Sequence, residues 1–92
     1  MIKLSSQDLA TLLLCSMRYA IGRMTYMPSN VARMIRESWG KLSQNDRDLL
    51  KRDLKDEIQF RERGFEDDQW KGLGHECDYH TWHDLMKWME ER

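Results

Sequence analysis

The sequence predicts an all-α fold, a compact single-domain bundle of about four helices with a central, apolar first helix. Three observations predict it. Apolar residues recur at helical spacing in four separate stretches, glycine or proline marks the ends of most of them, and no stretch alternates apolar and polar residues as a half-buried strand does. The chain has 92 residues, 34% of them charged and 40% hydrophobic, with one proline. It is read as one helical domain over residues 1–92, large enough to bury a core and too small for an enclosed substrate chamber.

The first helix is expected to start at Ser5 or Ser6, whose hydroxyl can accept from an orphan backbone N–H, and to run to about Gly22. Leu9, Leu12, Leu13, Ser16 and Ala20 mark one face, and Ala10, Leu14, Met17 and Ile21 mark a second. Only a narrow polar strip through Thr11 and Arg18 is left, so the helix is expected to be central, with Leu13, Leu14 and Ile21 buried. Residues 23–27 connect it to a second helix, where Pro28 suits the first turn because its missing N–H costs nothing. Val31, Met34, Ile35 and Ser38 or Trp39 keep the helical spacing until Gly40.

The third helix is expected to begin at Ser43, with Asp46 completing an acidic variant of the capping box, and to reach Arg63 before Gly64 stops it. Leu50, Leu54 and Ile58 form its buried stripe, supported by Leu49; opposite charges such as Asp48 and Arg52 mark an outer helix. Residues 65–77 form the longest connection, pinned by Phe65, Trp70 and Leu73. Asp78 caps a last helix in which Trp82, Leu85, Met86 and Met89 occupy one face.

The formal net charge is -1, so the molecule as a whole does not attract nucleic acid or anionic lipid. Charge is uneven, however: residues 1–40 carry +3 and residues 41–92 carry -4. Cys15 and Cys77 form one bridge at most and lack the pattern of a secreted disulfide scaffold, which points to a reducing cytoplasm. Gln7 and Asp8 interrupt the N-terminal apolar run, so it reads as a buried helix, neither signal sequence nor membrane segment.

No catalytic motif stands out. His75, Cys77, His80 and His83 are zinc-preferred ligand types, but structural sites pair two separated ligand groups and these crowd into one segment, so no metal or cofactor is expected. A Cys77 nucleophile activated by His80 lacks a third orienting group. The second and third helices have the lengths of a helix-turn-helix, yet Asp46 and Asp48 would be aimed at phosphates, and direct DNA binding is not expected. Arg18, Tyr19, Arg23 and Tyr26 gather two guanidinium groups and two amphipathic rings around a helix end, residue types enriched where partners bind. A structural alternative has the tyrosines packing beside the core while the arginines bond the last carbonyls of the first helix or acidic side chains of the third.

The run Arg18-Tyr19-Ala20-x-Gly22-Arg23-x-Thr25-Tyr26 resembles the core of a group of small phage and prophage proteins with no assigned activity. That group also carries a later tryptophan, matched by Trp39, and a Glu-Cys-Asp followed by tryptophan, matched by Glu76, Cys77, Asp78 and Trp82. The resemblance spans most of the chain and implies a phage context. Compact phage proteins without catalytic motifs are often inhibitors or modifiers of host proteins. The expectation is therefore a non-enzymatic binding protein that inhibits or redirects a host protein in the host cytoplasm. A defence component such as a CRISPR, restriction or recombination nuclease is the expected class of target. The alternative is a small nucleic-acid-associated regulator using Arg18, Arg23, Arg33 and Arg36.

Overall fold

The computed structural model of the chain describes residues 4–21, 26–64 and 76–92. Among them the protein is all-helical, with four α-helices and one 3-10 turn and no strand: α1 (Ser6–Ala20), α2 (Met27–Ser38), the 3-10 turn (Trp39–Lys41), α3 (Gln44–Gly64) and α4 (Glu76–Glu90). None of these helices is long and apolar enough to cross a membrane.

Ser5 caps α1 by accepting the Asp8 N–H at 3.1 Å, with the Asp8 carboxylate near the positive end of the helix dipole. The helix ends at Ala20, short of Gly22, because Ile21 turns to an extended conformation and buries its side chain. Arg61 of α3 donates to the Ile21 carbonyl at 3.2 Å. An arginine does cap this end, but it comes from α3 and not from the first helix.

The buried stripe of α1 is Ala10, Leu13, Met17 and Ala20, and Ile21 is buried just beyond it, so Leu13 and Ile21 lie in the core as expected. Leu9 and Leu14 are only partly covered, and Leu12 is exposed. The main packing partners of α1 are α2 and α3, which also hold α4 between them.

In α2 the buried stripe is Pro28, Val31, Ala32 and Ile35, continued by Trp39; Met34 lies off that stripe and is exposed, contrary to expectation. Gly40 does pass the chain out of α2, yet nothing lies within 4 Å of where its side chain would be. Leu42, which no periodic pattern marked, seals the core just before α3.

The start of α3 is held by more than its own capping box. The Ser43 hydroxyl accepts the Asp46 N–H at 3.2 Å and donates to the Asp46 carboxylate at 2.9 Å. The Ser43 N–H is taken by the Ser6 hydroxyl at 2.7 Å, and Ser6 in turn donates to the same Asp46 oxygen. One hydroxyl of α1 thus satisfies an orphan donor at the α3 N-terminus and ties the two helix starts together. Leu50, Leu54 and Ile58 are buried as the four-residue repeat predicts. In α4 the buried residues are Trp82, Leu85 and Met89, with Met86 packed against their edge. The α4 helix begins before Asp78, which therefore lies inside it and not at its cap.

Candidate functional site

Of the four residues expected to meet a partner, Arg18, Tyr19 and Tyr26 are described. Arg23 and the connection from 65 to 75, with Phe65, Trp70 and Leu73, lie outside the described residues. Arg18 is tied down: its Nε donates to Asp53 Oδ2 at 3.1 Å, and its second terminal nitrogen pairs with Asp53 Oδ1. The hydrogen bond that Arg18 donates to Asp53, followed by that residue's charge, raises the Arg18 pKa above its ordinary value, and Glu57 adds to the effect. A two-pronged guanidinium–carboxylate pair commits the donor edge that a partner would need. Arg18 is a strap from α1 to α3, which is the structural alternative for this residue.

The tyrosines follow the opposite course. Tyr19 is 57% exposed and Tyr26 73% exposed, so neither is packed into the core. Tyr19 lines a groove of about 400 Å³ between α1 and α2, together with Cys15 and Ala20 of α1 and Met27, Val31 and Met34 of α2. Among the described residues, Ser16 and Asn30 are the polar side chains in its lining and none is charged. Met34, off the buried stripe, is part of this wall, and Tyr26 stands at the α2 cap beside Met27. An open apolar trough lined by an aromatic ring takes apolar side chains of another macromolecule.

A second surface was not anticipated from the sequence. Trp39 and Trp88 meet edge to face with centroids 5.4 Å apart. Arg92 lies 4.0 Å and Arg36 6.0 Å from the Trp88 centroid, while Arg47 lies 5.7 Å and Lys51 6.0 Å from that of Trp39. Arg47 also donates to the Trp39 carbonyl at 2.9 Å. The signal that could have found part of it is local: Arg92 follows Trp88 by four residues, one helical turn, whereas Arg36 reaches Trp88 from another helix.

Of the arginines of the nucleic-acid alternative, Arg23 lies outside the described residues, Arg18 faces α3, Arg33 lies 3.6 Å from Glu37, and Arg36 belongs to the Trp88 cluster. In the helix-turn-helix comparison, Asp46 and Arg47 are engaged within the chain, and Gln44 bonds Asp48 at 2.9 Å. Of the histidine–cysteine cluster, His75 and the Cys77 side chain lie outside the described residues. His83 turns to α3, its Nε2 2.9 Å from Glu62 Oε1, and His80 is exposed. Among the described residues no three His, Cys, Asp or Glu side chains are grouped to hold a metal ion.

No family model matches the chain, and no curated protein or solved structure matches it either.

Proposed function

We propose that this is a non-enzymatic phage or prophage protein that inhibits or redirects a host protein by direct contact, with a defence nuclease complex as the class of target. The observation that carries the reading is the largely apolar groove between α1 and α2, lined by the exposed Tyr19, with Tyr26 exposed at the α2 cap. Tyrosine combines a large apolar face with a hydroxyl that stays hydrated, and for that reason is enriched among residues that anchor protein interfaces. The apolar side chains among the described lining favour a protein occupant. The phage context rests on the Arg18 to Tyr26 resemblance alone.

The test is a capture from host lysate with the purified chain, identification of retained proteins by mass spectrometry, and repetition with Tyr19→Ala/Tyr26→Ala. A host protein held by the wild type and released by the folded double variant supports the reading. Equal retention by both removes the groove from it.

A further inference from the structure

The end of the bundle built around Trp39 and Trp88 is cationic, and internal bonds use it only in part: Arg47 donates to the Trp39 carbonyl and Arg92 to the Trp88 carbonyl, both at 2.9 Å. Four cations, Arg36, Arg47, Lys51 and Arg92, stand within 6.0 Å of one or other of two touching indoles. None of the four has a carboxylate within ion-pair distance among the described residues, where the pairs are Arg18–Asp53, Arg33–Glu37 and His83–Glu62. Arg92 is stacked closely, but the other three sit near the outer limit of a cation–π contact, where the ring orients the charged head without neutralising it. Bringing four like charges together raises the free energy of this end, and that energy is recovered when an anion binds.

We infer that this cluster is a docking site for an acidic segment of a partner protein, a short run of clustered Asp and Glu. Charge complementarity decides the class. Four of the 15 Lys and Arg side chains gather here, and the remaining 11 share the chain with 16 Asp and Glu. A compact cationic spot in an otherwise acidic molecule matches a short anionic segment. Duplex binding draws its strength from about six to ten phosphate contacts, more than four cations supply. Single strands are held by base stacking on open aromatic faces. Here Trp39 is buried and Arg92 already covers Trp88. The guanidinium edges instead suit paired carboxylate oxygens. This inference does not rest on the groove between α1 and α2, which shares no residue with the cluster.

The experiment titrates the ¹⁵N-labelled full chain with octaglutamate and follows the indole N–H signals of its tryptophans. The Trp39 and Trp88 signals move and that of Trp82, in the core, stays; the affinity falls steeply between low and physiological salt. Arg36→Gln with Arg92→Gln weakens the peptide at least about fivefold, whereas Arg33→Gln, which alters a paired arginine, changes it by less than about twofold. Arg47 is left intact because it bonds the Trp39 carbonyl. If the double variant fails to fold, Lys51→Gln alone gives a loss of about twofold or more. Unmoved Trp39 and Trp88 signals at millimolar peptide, or affinity unchanged in folded variants, overturns the proposal. So does a short duplex DNA that moves the same signals at lower concentration than octaglutamate, which assigns the site to nucleic acid instead.

Discussion

The α1/α2 face and the Trp39/Trp88 end both display aromatic side chains, yet they differ in what accompanies them. Among the described residues the lining beside Tyr19 is apolar and uncharged, and Arg18, the one arginine of α1, is paired with Asp53. Around the two indoles four cations have no carboxylate within ion-pair distance among the described residues. The difference teaches that a surface is defined by what intramolecular pairing leaves over. An arginine next to a tyrosine in the sequence need not be next to it in function.

The largest expected effect tests whether one core supports both surfaces. Leu13→Ala removes a buried side chain from the wall facing α2 and α3 and should cost about 2–5 kcal/mol. Tyrosine and tryptophan signals should then melt together at a lower temperature; separate transitions would divide the molecule into independent units. Next in size, Trp88→Ala removes the edge-to-face partner of Trp39 and the platform under Arg36 and Arg92, for a loss of about 2 kcal/mol. Binding at the tyrosine groove should survive it, and a matching loss there would show that the two surfaces are one.

Ser6→Ala deletes the hydroxyl that accepts from Ser43 and donates to Asp46, and a drop of about 1 kcal/mol in chemical denaturation is expected. No change would mean that water replaces the hydroxyl at the α3 start. The smallest effect is none at all. A chelator should leave the thermal midpoint where it was, while one tightly held metal ion per chain by elemental analysis would return the histidine–cysteine cluster to consideration.

The helices were legible because their signals are local. Ser5 and Ser43 cap where their positions suggest, Pro28 enters α2 in its first turn, and the Leu50, Leu54, Ile58 repeat is buried. How fully each apolar face of α1 is covered was not legible, since apolar residues on two faces do not say how many neighbours a helix has. For the same reason spacing alone did not separate Met34, which is exposed at the groove, from Val31 and Ile35, which are buried. The fate of Arg18 depended on Asp53, 35 positions away, and the Ser6–Asp46 link spans 40, separations that periodicity does not register. Of the structural alternative for the arginine–tyrosine segment, the bond from Arg18 to an acidic side chain of α3 is present, whereas Tyr19 and Tyr26 are exposed and not packed into the core.

The most direct test compares Tyr26→Ala with Arg18→Ala, measuring affinity for the captured host protein and the thermal midpoint on the same preparations. The account predicts that Tyr26→Ala weakens binding by about 1–2 kcal/mol with an unchanged midpoint. Arg18→Ala, having lost its strap to Asp53, should lower the midpoint and leave the affinity of the folded protein as it was. Wild-type affinity in Tyr26→Ala, or lost affinity at an unchanged midpoint in Arg18→Ala, would contradict the assignment of the partner surface to the tyrosine groove.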